Sequence, residues 1–285
     1  MSELEKLQTE RDARDGRSTR YSEAVDRYLG VGSYRSEEPM RPVVASARTG
    51  LVLAGVDDTP TSYIALDHAA IEAELRGWGL RILHAQHSGS LHQPTREDGA
   101  RLLERLIDRV HASAPTVAVT SRLVVGSAAT HLLVAARDAG LVVVGHRHGP
   151  ASTVFGVSVA DRVATDHNGP VLVVRVPGWP PGPGFGRRPI VAGVDGPEDP
   201  AGEFARREAR LRGSDLVLLY PDRSPRMPRT KVVDGVTTHS RFVTETAAEA
   251  LLDVSDQAAA LVVPRRSPAV RPLLQRARCP VFLIG

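Results

Sequence analysis

Among 285 residues there is one cysteine, Cys279. That excludes an internal disulfide framework, and the lack of any CxxC pair or Cys/His cluster excludes a zinc module. No apolar run approaches the roughly 20 residues that a bilayer-crossing helix needs, so no membrane partner is expected. The opening stretch, MSELEKLQTERDARDGRSTR, lacks the apolar core of a secretory signal. With the lone thiol, this predicts a cytoplasmic protein. Charge of one sign is scarce too. The net charge is +3, and the pI of about 9.3 comes from arginines dispersed along the chain. Without a focused basic stripe or a known module, no nucleic-acid partner is expected.

Catalytic signatures are also missing. There is no Gly-x-Ser-x-Gly elbow and no strict Walker spacing. GHRHG at 145–149 follows the fourth apolar run rather than the first, where a His-x-Gly-His nucleotidyl-transfer signature belongs. No catalytic residue is assigned, and the chain is expected not to be an enzyme. His146, His148 and His167 have no carboxylate or cysteine at ligand spacing, so no metal is expected.

What is present is globular texture, with 42% hydrophobic and 24% charged residues. Residues 1–46 mix charges of both signs with few apolar side chains and are expected to form a flexible tail, a short helix in part of it being the alternative. From Leu51 the chain alternates short Val/Leu runs (LVLAGVD, LRILHA, TVAVTSRLV, LVVVG, PVLVVRV) with helically spaced stretches that stop at glycines. Near-continuous apolar strands between helices mean a parallel sheet covered on both faces. PGWPPGPGFGRRP then interrupts the pattern and supplies a Pro/Gly linker, placed at 177–187.

Beyond the linker the pattern returns in the same order. LVLAGVDD (51–58) is answered by IVAGVDGP (190–197), and EAELRG (72–77) by EARLRG (208–213). Residues 129–147 align without a gap to 248–266, and PVLVV (170–174) matches PVFLI (280–284). The sequence therefore predicts two tandem doubly wound α/β domains, at 47–176 and 188–285. The later copy is reduced. Only PDRSPRMPRTK separates its second and third strands, leaving no room for a second helix, and Gly145 is replaced by Pro264. The stretch Gly145–Pro170 spans 25 positions and Pro264–Pro280 spans 16, a loss of nine in the glycine loop. This half is expected to bind no nucleotide.

In open parallel sheets ligands sit beyond the carboxyl ends of the strands, where strand order reverses. Asp57 ends the first strand and Gly145 the fourth, so a crevice there faces Asp57 and the loop 145–158. Glycines allow close backbone approach, and a helix start offers N–H groups to an anion. Ser152, Thr153 and Ser158 add hydroxyls. Asp57 has two readings: acceptor for a ribose or adenine group, or cap of the following helix. His84 is expected to pack at the crevice edge, and Arg187, Arg188, Arg265 and Arg266 to be solvated.

These residues resemble the universal stress protein family in its tandem, actinobacterial form. The likeness is carried by LVLAGVDDTPTSYIAL, LVVVGHRHGPASTVFGVSVADRVA and GPVLVVR, with IVAGVDGP and CPVFLIG in the second copy. The resemblance implies five-stranded sheets of order 3-2-1-4-5, as in the adenine nucleotide alpha hydrolase-like fold. It also implies an intramolecular pseudo-dimer through the fifth strands, open to further homodimerisation. In nucleotide-binding members ATP lies at the switch point; the matching positions are Asp57, Ala85, Gly145 and Ser158. The family loop keeps glycine where His148 stands, with Gly149 next, and again where Val157 stands, with Gly156 just before. His148, Gly149 and Gly156 are thus the altered cradle, and weak binding of ATP or another adenine nucleotide is expected. The implied role is a non-enzymatic stress-response module. The alternative is a structural protein that docks an unknown protein partner and binds no nucleotide.

Overall fold

In the computed structural model, residues 19–29, 50–86, 95–146, 158–176, 184–222 and 227–285 are described. The chain divides into two units, Asp26–Val176 and Pro177–Gly285, the latter joined by the N-terminal residues up to Val25.

Residues 20–29, expected within a flexible tail, form helix α1 (Arg20–Leu29). The physical reason is a short stripe at helical spacing, Tyr21, Ala24, Val25 and Tyr28, of which the first three are buried. In the second unit Tyr21 lies under the Arg212 guanidinium, 4.9 Å from the ring centroid. In the first, Arg27 donates to both carboxylate oxygens of Glu74, at 2.5 and 2.7 Å.

The first unit continues as β1 (Leu51–Val56), α2 (Pro60–Arg76), β2 (Gly79–Gln86), α3 (Arg96–Ser113), β3 (Val119–Val125), α4 (Ala128–Ala135), β4 (Leu141–His146), α5 (Val159–Asp166) and β5 (Val171–Arg175). All pairings are parallel, in the order β3-β2-β1-β4-β5. Val52, Leu53, Ala54, Val142, Val143 and Val171 are fully buried, as strands covered on both faces require. Local signals set the helices. Proline opens α2, and Gly77 closes it in the left-handed region at φ 62°. Thr95 and Asp98 form a capping box at α3.

The second unit contains β6 (Ile190–Gly193), α6 (Pro200–Arg212), β7 (Leu216–Pro221), β8 (Arg229–Val233), β9 (Val236–Val243), α7 (Ala247–Asp253), β10 (Ala260–Pro264), α8 (Val270–Arg276) and β11 (Val281–Ile284). Its parallel strands run β11-β10-β6-β7-β9, again the order 3-2-1-4-5. The expected parallel sheet needs one correction: β8 pairs antiparallel with β9 and extends the edge. It stands in the chain where the first copy has its second helix. Asp234 and Gly235, at φ 52° and 78°, make the tight turn between the two strands.

Two expectations about arginines are also corrected. Arg188 is buried: its Nη1 donates to the Asp256 carbonyl at 2.5 Å, and its guanidinium lies 5.6 Å from the Phe185 ring centroid. Arg265 is half-buried, and desolvation lowers its pKa. The end of the Pro/Gly linker is structured as well, a turn of 3-10 helix at Phe185–Arg187 with Phe185 buried.

Candidate functional site at the first sheet's switch point

Strand register brings three of the expected residues to one edge. Gly55 of β1 pairs with Val144 of β4, and Val56 pairs with His84 of β2. Asp57 thus leaves β1 between the last residues of β2, which include Ala85, and those of β4, which include Gly145. The order β3-β2-β1 runs one way from β1 and β4-β5 the other, so this edge is the topological switch point. His84 is fixed there by Nδ1, 3.0 Å from the Val56 carbonyl oxygen.

The chemistry of each residue is set by its neighbours. Asp57 Oδ1 accepts from Thr59 Oγ1 at 2.5 Å and from Ser62 Oγ at 2.6 Å, while its N–H donates to Ser62 Oγ at 3.1 Å. Thr59 is the N-cap of α2 yet makes no side-chain capping bond; its hydroxyl is turned to Asp57 instead. Asp57 secures the helix entrance through the hydroxyls of Thr59 and Ser62. Gly145 is bare for a neighbour within the protein: a Cβ there would stand 2.9 Å from Thr61 Cγ2 and 3.1 Å from the Thr61 carbonyl oxygen. Ala85 is half-buried and pairs with Val124 of β3; its methyl group leaves only the backbone as a polar contact.

Ser158 caps α5, its Oγ accepting from Asp161 N–H at 3.0 Å. His146, at the end of β4, points Nε2 to Asp161 Oδ1 at 3.2 Å. The His146 contact, with the Ser158 side chain and backbone adding to it, holds the Asp161 carboxyl below its usual range. The positive end of the α5 dipole thus already faces a carboxylate of its own chain. The sequence singles out neither Asp161 nor the hydroxyls of Thr59 and Ser62. Their signals are present, an acid three residues after a serine and hydroxyls two and five residues after Asp57. His148, Gly149 and Gly156, with Ser152, Thr153 and Val157, lie outside the described residues. Among the described residues no group of His, Cys, Asp and Glu fit to hold a metal is found.

Farther along the two helices, α2 and α3 are clamped by Arg109, which donates to both oxygens of Asp67 at 2.7 Å each. Burial raises the Asp67 pKa and the Arg109 bonds oppose it. In the second unit the Asp57 counterpart, Asp195, donates its N–H to Asp199 Oδ2 at 3.0 Å, and Asp199 caps α6. Pro264 ends β10 without an N–H to offer.

A doubly wound α/β unit whose switch point carries an acid after β1 and a glycine at the end of β4 defines the class. Residues 50–175 match the model of the universal stress protein family. A universal stress protein of Mycolicibacterium smegmatis is 36% identical over 132 residues, 44% of this chain and 45% of that protein. Another, from Mycobacterium tuberculosis, is 26% identical over 200 residues, 59% of this chain and 62% of that protein. The matched stretches thus span about half of these relatives' own length. The crystal structure of a universal stress protein from Archaeoglobus fulgidus aligns with a TM-score of 0.62 at 14% identity, covering 84% of this chain and 97% of that one, a likeness of fold. It is residues 50–175 that carry the likeness to the universal stress protein family. No described helix is long and apolar enough to cross a membrane.

Proposed function

We propose that the chain is a cytoplasmic stress-response module, not an enzyme, whose first domain holds an adenine nucleotide, ATP, with low affinity. Asp57, Ala85 and Gly145 on adjacent strand ends and Ser158 at the start of α5 fit such a ligand in position. The match of residues 50–175 to the universal stress protein family supports the stress-response role. The observation that carries the low affinity is that the polar groups of this edge already serve the protein. Asp57 accepts from Thr59 and Ser62, and the start of α5 holds the Asp161 carboxylate against Ser158 and His146. A triphosphate at this helix start meets that carboxylate, and each 1.4 kcal/mol so lost is about tenfold in affinity.

The test is calorimetric titration of the intact chain with ATP, beside mass spectrometry of small molecules released from the purified protein. Weak binding without ADP formation is expected, abolished by Gly145→Val. Tight binding that survives both Asp57→Ala and Gly145→Val sinks the proposed site, and hydrolysis sinks the non-enzymatic role. The same internal bonding favours the second reading, a partner-docking module without nucleotide. Absence of any ATP binding by the unaltered chain selects it.

A further inference from the structure

The hairpin peculiar to the second unit holds a cluster unrelated to the switch point. Thr230 of β8 faces His239 of β9 as a cross-strand pair. Thr230 is exposed, whereas His239 is buried at 7% exposure. Thr230 Oγ1 stands 3.0 Å from His239 Nδ1, and His239 Nε2 stands 3.4 Å from Asp215 Oδ2. Asp215 immediately precedes β7, and His239 pairs with Val217 near the start of that strand. The three groups therefore lie toward the amino ends of β7 and β9, away from the carboxyl ends where this fold class binds ligands.

Donor and acceptor rules fix the protons. An ionised carboxylate can only accept, so the hydrogen of the neutral ring sits on Nε2. The lone pair is then on Nδ1, and the Thr230 hydroxyl must donate to it. Hydroxyl, base and orienting acid stand in line, the arrangement that activates an oxygen nucleophile.

We propose that Thr230 is a covalent modification site, an acyl acceptor for small activated acyl esters, with His239 as general base and Asp215 positioning the ring. In the step, the Thr230 oxygen bonds to the acyl carbon while its proton passes to His239 Nδ1. The bond from the acyl carbon to the leaving oxygen breaks, and the proton moves on to that oxygen. The products are a threonine ester and an alcohol, with nothing oxidised or reduced. The chain is the acceptor of one acyl group, a role separate from nucleotide binding.

The probe is p-nitrophenyl acetate added to the intact chain at neutral pH. A burst of about one equivalent of nitrophenolate is expected, the signature of a covalent acyl intermediate. Peptide mapping should place the acetyl group on Thr230. Hydroxylamine should remove it, because an ester is labile where an amide on the adjacent Lys231 is not. Thr230→Val abolishes the burst and Thr230→Ser keeps it. His239→Gln, which retains hydrogen bonding but is no base, slows the burst on the order of 100-fold and flattens the fall in rate that acid causes in the parent. Asp215→Asn slows it less. Circular dichroism checks that each variant is folded; should His239→Gln not fold, the parent against Thr230→Val decides. A hydroxylamine-resistant label on Lys231, an unchanged rate in His239→Gln, or no burst in the parent overturns the proposal and leaves the contact as a brace of the hairpin.

Discussion

Gly145→Ala tests whether the bare end of β4 serves a ligand or the protein's own packing. The added Cβ would lie 2.9 Å from Thr61 Cγ2, 3.1 Å from the Thr61 carbonyl oxygen and 3.2 Å from its carbonyl carbon. Two of these three atoms are backbone in the first turn of α2, and that turn is held by Pro60 and by the bonds of Asp57 to Thr59 and Ser62. Rotamer changes cannot relieve the clash, so the helix start must shift by a few tenths of an ångström. Overpacking of this kind destabilises by about 1–3 kcal/mol. For a domain of this length, roughly 2–4 °C is lost per kcal/mol, so the Tm falls by about 2–12 °C. Thermal unfolding followed by circular dichroism reads the change. Adding Thr61→Ala removes Cγ2 but not the carbonyl, so the double variant should recover part of the loss. The same shift moves Asp57 and weakens ATP binding alongside stability. If Gly145→Ala melts with the parent and loses ATP alone, the packing argument is refuted, and the bare backbone is there for the nucleotide.

Arg212 and Glu208 form a buried ion pair, with side chains 1% and 6% exposed; Arg212→Met alone should cost about 3–5 kcal/mol in urea unfolding, and adding Glu208→Leu should restore much of it. Asp161 has a depressed folded pKa, so its contribution is present at pH values above the unfolded carboxyl's range and is lost as pH falls through the folded value. Asp161→Asn should therefore lower the Tm at pH 7 and converge with the parent in strong acid; an undiminished gap in acid would rule this out. Gly235→Val places a β-branched residue at φ 78°, which should weaken the β8–β9 turn by about 1–3 kcal/mol, read as faster amide exchange in residues 229–243 with β6 and β10 unaffected.

Strand and helix placement were legible because each rests on local signals that tertiary structure does not override, whereas the strand order came only from the family resemblance. Val/Leu runs too short for helices became β1, β4, β5 and β10, and EAELRG and EARLRG became the same helix end twice. The hairpin was harder to see. A stretch too short for the helix of the first copy suggests a loss, yet VVDGVTT carries a tight-turn dipeptide between β-branched residues. Alignment to the first copy hides it, because β8 has no counterpart there. Helix α1 was legible only as an unplaced short helix within 1–46, since four apolar-stripe positions among charges do not raise the average. At the site, the sequence gives the positions of Asp57, Gly145 and Ser158 but not their partners. Thr59, Ser62, Thr61 and Asp161 are ordinary helix-start residues, and only the packing of α2 and α5 against the strand ends decides whether they meet a ligand or one another.

Comparison of the copies indicates which parts of the fold are scaffold. Gly77 and Gly213 close their helices at φ 62° and 63°, and in both copies the next residue's N–H returns to the fifth residue before it, at 2.9 and 2.8 Å. Glu72–Arg76 and Glu208–Arg212 are matching buried ion pairs one turn before those glycines. Gly55 makes room for Leu132, whose Cδ1 would stand 2.7 Å from an added Cβ, and Gly193 does the same for Leu251 at 2.8 Å. None of these contacts touches a ligand position, and each survives in both halves. The differences collect at the carboxyl edge and beside it: Pro264 for Gly145, an α6 cap from Asp199 where α2 relies on Asp57, and a hairpin for a helix. Packing contacts constrain both copies alike because each must bury the same sheet, whereas the edge is constrained only where a ligand uses it. The second copy keeps the scaffold and differs at that edge, so the proposed nucleotide site is assigned to the first copy, and an ATP crosslink in residues 188–285 would refute that assignment.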